Sequence, residues 1–190
     1  MVKKYAGTVA EPPAGEEIEG LPSNQANLTQ ILDKSRTECL NQSDDHVLEH
    51  ALAAGDGYLE SDCDEQLLIT MAFTQRVKVH SLYIAAQGNQ APKDIKVFAN
   101  LPNTPSFDAA EGMEGVQKFE LAPEDMKDNN LVLLKYVKFQ NVDSITIFVA
   151  NNQGGEETTR IDRFAVIGSP VATVNMEEFK RVAGKKGESH

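Results

Sequence analysis

The feature that most constrains the fold is the stretch from residue 134 to residue 168, LKYVKFQNVDSITIFVANNQGGEETTRIDRFAVIG. It predicts three strands separated by two polar turns. In the first strand Val137 and Phe139 alternate with Lys138; the second covers 145–149, and the third covers 161–167 and stops at Gly168. The last two strands carry large apolar side chains on both sides, so we expect them in the middle of a covered sheet.

Further strand patterns precede this stretch. Residues 66–73 alternate strictly, and Val77 and Val79 continue the pattern until its phase slips at 80–81, which predicts a β-bulge. Strands are also predicted at 95–100 and 116–121, with an irregular surface connection over 101–115. Short helices are predicted at 27–34, capped by Asn27, and near 46–55, capped by Asp45. The pattern favours an all-β fold, an antiparallel sandwich or jelly roll with one or two short peripheral helices.

Composition limits the classes of partner and the cellular compartment. A length of 190 residues suits one domain, and the net charge of −11 argues against a nucleic-acid partner. No apolar run reaches the roughly 20 residues of a membrane span, so we expect no membrane partner. Two cysteines and no secretory signal predict free thiols and a cytoplasmic and nuclear location. We predict a monomer with a flexible linker at 1–26, a domain at 27–175 and a basic tail at 176–190.

No residue pattern requires an active site. The acidic cluster at 61–65 suggests a metal site, but it lacks the calcium-loop spacing, and Cys39 and Cys63 are too isolated for zinc. We therefore predict that the cluster is an acidic turn capping the first long strand and that Cys63 is a small buried residue. We predict no enzyme activity, no metal and no cofactor.

The loop at 151–160 leaves two interpretations open. It places polar and charged side chains beside Gly154 and Gly155, namely Asn152, Gln153, Glu156, Glu157 and Arg160. One interpretation is an exposed recognition loop on a rigid sheet. The other is a plain hairpin loop in which Arg160 pairs with a neighbouring carboxylate.

Several long segments closely resemble one family, the PITH domain, whose name stands for proteasome-interacting thioredoxin. They are LESDCDEQLLIT (59–70), VFANLPNT (97–104), LKYVKFQNVDSITIFV (134–149), NQGGEETTRI (152–161), IGSPV (167–171) and FKRVAGKKGESH (179–190). The resemblance covers roughly 20–190. It implies a jelly-roll β-sandwich similar to galactose-binding-like domains, without catalytic residues, that docks on the regulatory particle of the 26S proteasome. In two-domain members such a domain follows a thioredoxin.

From this resemblance we predict a docking surface made of loops and tail. The predicted partner-binding residues are Asn141, Asp143, Asn152, Gln153, Glu156, Glu157, Arg160, Lys185, Lys186, Glu188 and His190. The loops would supply polar rim contacts, and the tail would insert into the partner. The alternative from another class is a ligand-binding module that holds a sugar or a metal ion at the sandwich rim.

Overall fold

The computed structural model describes residues 18–127 and 129–172. Its strands are β1 (Ala26–Asn27), β2 (Glu38–Leu40), β3 (Leu59–Glu60), β4 (Leu67–Ala85), β5 (Asp94–Ala99), β6 (Gln117–Glu120), β7 (Val132–Leu133), β8 (Val142–Val149), β9 (Arg160–Ile161) and β10 (Arg163–Pro170). Two short α-helices, α1 (Leu48–Leu52) and α2 (Phe107–Gly112), accompany them. Turns of 3-10 helix occur at Leu28–Ile31, Lys34–Arg36, Pro123–Met126 and Tyr136–Lys138.

The long strand β4 organises both layers of the fold. In the described part of the chain the main sheet has the order β1-β10-β4-β8-β5-β6, and β2 and β7 also pair with β4. The first part of β4 pairs with β2 and β8, whereas its second part pairs with β10 and β7. Every one of these pairings is antiparallel. The sheet therefore curls into two layers that share β4, as the strand pattern predicts.

The predicted bulge in β4 is confirmed. Ile167 pairs with Ser81 and Gly168 pairs with Val79, so His80 is an extra residue without a partner in the ladder. The slip keeps the apolar side chains of both halves of β4 in one core. Those core residues, each at most 1% exposed, are Leu67, Ile69, Met71, Phe73, Val77, Val79, Leu82 and Ile84.

The third predicted strand does not stop at Gly168 but continues to Pro170. The prediction was wrong because glycine was taken for a chain breaker. At Gly168 a Cβ atom would collide with the carbonyl oxygen of Lys78 on the bulged strand. Glycine is therefore required for the close approach of two backbones, and the strand passes through it.

Strand β8 is buried on both faces, as predicted. Ile145, Ile147 and Val149 lie in the main core, and Phe148 lies in a second cluster on the opposite face. That second cluster is covered by α2, which lies within the connection predicted to be irregular. The Ser106 hydroxyl caps α2 by accepting a hydrogen bond from the Ala109 N–H at 3.2 Å.

The two predicted helices form in shorter versions. Asn27 caps its helix as predicted, but the helix is one 3-10 turn, Leu28–Ile31. The predicted Asp45 cap is wrong. The Leu48 N–H at the start of α1 instead donates to the side-chain carbonyl of Gln42 at 2.8 Å.

The first predicted strand of the 134–168 stretch is also wrong. Tyr136–Lys138 is a 3-10 turn, Val137 is 87% exposed and Phe139 is fully buried. Apolar residues two apart imitate a strand here, but one of them points into solvent. The segment contacts β4 through the Phe139 carbonyl, which accepts a hydrogen bond from the Val79 N–H at 2.8 Å.

Part of the predicted N-terminal linker packs against the domain. Ile18 and Leu21 lie on the outer face of β10 against Ala165 and Ile167, and Ala26 pairs with Gly168. Residues 1–17 and 173–190 lie outside the described residues, so the remaining domain boundaries stay predictions.

Candidate functional site

Asn152 fixes the 151–160 loop from the inside. Its side chain is only 4% exposed. The amide oxygen accepts a hydrogen bond from the Glu156 N–H at 2.7 Å, while the amide nitrogen donates to the carbonyls of Glu156 at 2.9 Å and Thr158 at 3.1 Å. One buried amide thus satisfies three backbone groups of Glu156 and Thr158 across the turn, and the loop has a defined shape.

Gln153 ties the same loop to the neighbouring chain segments. Its amide nitrogen donates to the carbonyls of Pro92 at 2.9 Å and Leu121 at 2.7 Å. The next residue, Gly154, lies so close to Asn89 that a Cβ atom would collide with that side chain. Asn152 and Gln153 therefore act on the protein's own backbone in this structure.

The two glutamates at the crest of the loop point outward. Glu156 and Glu157 are exposed, and neither side chain forms a salt bridge or hydrogen bond with any residue in 18–127 or 129–172. A fixed backbone below and two free carboxylates above make an acidic crest. A partner would meet these carboxylates with little further ordering of the loop backbone.

Arg160 closes the loop against an aromatic stack. Its Nε pairs with Asp162 Oδ1 at 2.8 Å, and its guanidinium lies 3.6 Å from the centre of the Tyr58 ring. The His46 ring stacks on Tyr58 at 3.9 Å. Two groups at these distances occupy opposite faces of the ring, so Tyr58 offers no free face on which a sugar could stack.

The structure therefore divides the predicted loop residues. The expectation that the loop is exposed is wrong for Asn152, because its amide is buried and binds backbone groups of the loop. The ion pair of the hairpin interpretation is observed between Arg160 and Asp162. Recognition through Glu156 and Glu157 stays a prediction.

A cleft of about 1010 Å³ opens beside Arg160. Its walls include Gln87 and Ala91 after β4, Met126, and Arg163 at the start of β10. The Nε and Nη2 atoms of Arg163 are buried and have no hydrogen-bond partner. Such donors cost free energy when left unpaired, so a ligand that reached them from the cleft would gain hydrogen bonds from Arg163.

Asn141 and Asp143 lie at the other end of β8, about 24 Å from the loop for eight residues of extended strand. The Asn100 side chain holds this turn: it donates to the Asn141 carbonyl at 3.0 Å and accepts from the Asp143 N–H at 2.7 Å. Arg36 bridges Asp143 at 3.1 Å and Asp33 at 2.8 Å. The structure thus does not bring all predicted binding residues onto one surface.

Hydrogen bonds from Arg36 and Ser35 lower the pKa of Asp33 to about 2. Hydrogen bonds to the carboxylates of Asp33 and Asp143 raise the pKa of Arg36. This end of the sandwich therefore carries an ion pair that stays charged over the physiological range.

An exposed apolar group next to Asn141 was missed from the sequence. Leu133, Tyr136 and Val137 are 62%, 40% and 87% exposed. Their sequence resembles part of a strand. The one local signal that sets them apart from buried strand residues is the run 129–142, which contains no acidic residue.

The thiols and carboxylates show no catalytic arrangement within the described ranges. No group of three histidine, cysteine, aspartate or glutamate side chains there could hold a metal ion. Burial raises the pKa of Cys39 to about 12. Cys63 is exposed, contrary to prediction, but its hydrogen bond to the Asp62 carboxylate raises its pKa. In the acidic cluster Asp64 accepts from the Gln66 N–H at 2.9 Å, just before β4.

Two further findings delimit the site. No helix in 18–127 or 129–172 is long and apolar enough to cross a membrane. The predicted tail residues Lys185, Lys186, Glu188 and His190 lie outside the described residues.

The family model of the PITH domain matches residues 19–184. This chain belongs to the PITH domain family. Thioredoxin-like protein 1 of Schizosaccharomyces pombe is 40% identical over 83% of this chain and 56% of its own length. PITH domain-containing protein 1 of Xenopus laevis is 30% identical over 78% of this chain and 71% of its own length. The chain thus spans just over half the length of the thioredoxin-like relative, and the resemblance read from the sequence is confirmed.

Solved structures confirm the galactose-binding-like jelly roll. The F5/8 type C domain of a Bacteroides fragilis protein has a TM-score of 0.54 at 10% identity and covers 79% of this chain and 100% of that one. The family 32 carbohydrate-binding module of Clostridium perfringens NanJ, solved with galactose, has a TM-score of 0.50 at 12% identity and covers 75% and 98%. At these identities the likeness concerns the fold alone.

Proposed function

We propose that this PITH domain is a non-enzymatic docking module that binds the regulatory particle of the 26S proteasome. In a two-domain protein it brings a thioredoxin to that particle, in the cytoplasm and the nucleus, as a monomer. The observation that carries the proposal is the family match over residues 19–184, because the sequence resemblance to this family implies a proteasome partner. Neither nucleic acid nor membrane is part of the proposed interaction.

The geometry of the described residues favours docking over chemistry. Both thiols have raised pKa values and so little thiolate at neutral pH, which leaves them weak nucleophiles. The acidic crest, by contrast, presents Glu156 and Glu157 on a backbone held by Asn152 and Gln153. Such a preordered loop suits a rim contact in a protein interface.

The test is a pull-down of purified 26S proteasome with the full chain, a chain ending at Ala183, and the double variant Glu156→Lys/Glu157→Lys. We expect the full chain to bind and both altered chains to bind more weakly. The matched control is Glu111→Lys/Glu114→Lys, which makes the same charge change at two other exposed positions. No binding by the full chain would overturn the proposal.

A second candidate function is a small-ligand site in the cleft, and the unpaired Nε and Nη2 of Arg163 favour it. The oxygens of sugar hydroxyls accept hydrogen bonds from N–H groups of this kind. Proteins of similar fold were solved with galactose and with GalNAc. A metal ion is the less favoured ligand, because the described residues hold no cluster of ligating side chains. A thermal-shift assay with galactose and GalNAc tests the sugar site, since a ligand of the native state raises the Tm. We expect no such rise for Arg163→Ala. If millimolar sugar also left the Tm of the wild type unchanged, the sugar site would be refuted.

A further inference from the structure

The large apolar side chains that are exposed in residues 18–127 and 129–172 are concentrated in one place. They are Leu133, Tyr136 and Val137, with exposed fractions of 62%, 40% and 87%. Single exposed apolar residues are ordinary on protein surfaces, but three within five positions are a local concentration of exposed apolar surface. We call residues 133–138 the knob.

The knob is rigid because its flanks are anchored. Leu134 is 6% exposed and Phe139 is fully buried, so the chain is fixed in the core on both sides of Tyr136. The Leu134 N–H donates to the His80 carbonyl at 3.1 Å, and the Lys135 N–H donates to the side-chain carbonyl of Gln117 at 2.7 Å. The exposed side chains therefore project from a fixed turn, and binding through them needs little ordering of the backbone.

The knob is also positively charged in an acidic protein. The chain carries a net charge of −11, yet residues 129–142 contain Lys135 and Lys138 and no aspartate or glutamate. Neither lysine forms a salt bridge with any residue in the described part of the chain. The adjoining strand β4 adds Arg76 and Lys78 and no acidic residue. The charged side chains of residues 129–142 and of the adjoining strand β4 are therefore all cationic.

We propose that the knob inserts into an apolar groove rimmed by carboxylates on a protein of the proteasome regulatory particle, an assignment that rests on the proposed function. Apolar side chains surrounded by unpaired lysines match a partner of that chemistry, because the apolar contact supplies affinity and the charges supply orientation. Asn141 lies three residues after the knob and is exposed, so the polar turn predicted from the sequence borders the same surface. Two knobs facing each other would bring like charges together, which disfavours a second copy as the occupant.

The test measures the Kd of the full chain for purified 26S proteasome by biolayer interferometry, with Val137→Asp as the first variant. Insertion of a charge into the buried centre of an interface is expected to raise the Kd about ten- to thirty-fold. Ala109→Asp is the matched control, because it adds the same charge at an exposed position on α2 and should leave the Kd unchanged. The Tm of both variants is expected to stay near that of the wild type, since Val137 is 87% exposed.

A second variant, Lys135→Glu/Lys138→Glu, tests the charge of the partner. We expect weaker binding and a smaller loss of affinity on raising the salt concentration than in the wild type. If the wild type binds and Val137→Asp binds with an unchanged Kd, the proposed insertion of the knob would be overturned, while the proposed function would remain intact. Absence of wild-type binding would overturn both. A wild-type dimer that Val137→Asp converts to a monomer, with proteasome binding unaffected, would identify a second copy as the occupant instead.

Discussion

Substitution of Asn152 by alanine tests the account of the 151–160 loop. The buried amide makes three close hydrogen bonds to backbone groups, at 2.7 Å from the Glu156 N–H and at 2.9 and 3.1 Å to the carbonyls of Glu156 and Thr158. Alanine removes all three and leaves a small gap beneath the crest. The variant Asn152→Asp keeps the accepting oxygen but turns the donor into an oxygen that faces two carbonyls.

The expected magnitude follows from the number of bonds and their access to water. Three hydrogen bonds at about 1 kcal/mol each would give about 3 kcal/mol. Glu156 is exposed, so its backbone groups can bind water once the Asn152 amide is removed. We therefore expect a loss of about 2 kcal/mol in the free energy of unfolding for Asn152→Ala. For a chain of this size that lowers the Tm by about 4–8 °C. Asn152→Asp should cost more, because it buries a carboxylate, and its loss should shrink as the pH falls and the carboxyl takes up a proton.

The assay is equilibrium unfolding in urea together with thermal unfolding, at pH 7 and at pH 5. Glu157→Ala is the control, because its exposed side chain forms no hydrogen bond or salt bridge with the described residues, and we expect a change within about 0.5 kcal/mol. If the Tm of Asn152→Ala lay within about 1 °C of the wild-type Tm, the Asn152 amide would not hold the loop and the reasoning would be refuted.

Three other predictions concern single side chains. Gly168→Ala should destabilise by about 1–3 kcal/mol in urea unfolding, since its Cβ meets the Lys78 carbonyl, whereas Gly112→Ala, with open space around it, should not destabilise. Asp33, with its pKa lowered from 3.8 to about 2, should add stability above pH 4 that disappears as the pH falls toward 2. Asp33→Asn should therefore lose less stability over that window, and parallel curves would contradict this. Cys63 should react with iodoacetamide at pH 8 more slowly than free cysteine, and Asp62→Asn should speed the reaction, because the Asp62 carboxylate raises the thiol pKa.

The sequence predicted the strands best where burial enforces a strict period. In β4 the apolar residues return in the opposite phase after His80, and only a bulge keeps both sets in one core. The alternation of β8 likewise reports two covered faces. Such patterns are readable because a shift of one residue would move every large side chain into solvent.

The predictions from sequence were wrong where one residue type can have several structural roles. Asn152 reads as a turn residue, and nothing local indicates that its amide points inward to three backbone groups. Val137 and Phe139 read as one face of a strand, although a 3-10 turn separates an exposed residue from a buried one. Gly168 reads as a stop, although its role is a close contact across the sheet with Lys78. Phe139 and Gly168 depend on contacts with the distant strand β4, and Asn152 depends on the folded shape of its own loop, neither of which local propensity contains.

The distribution of charge gives these surfaces different tasks. A net charge of −11 repels other acidic macromolecules over most orientations, so among the described residues the cationic knob around Lys135 and Lys138 is a favourable point of approach for an acidic partner. The acidic crest at Glu156 and Glu157 lies at the far end of β8, about 24 Å away for eight residues of strand, and favours a basic contact there. A partner that satisfies both must present carboxylates and cations at that separation. In the proposed docking the two surfaces together would select orientation as well as identity, which a single patch of either sign could not do.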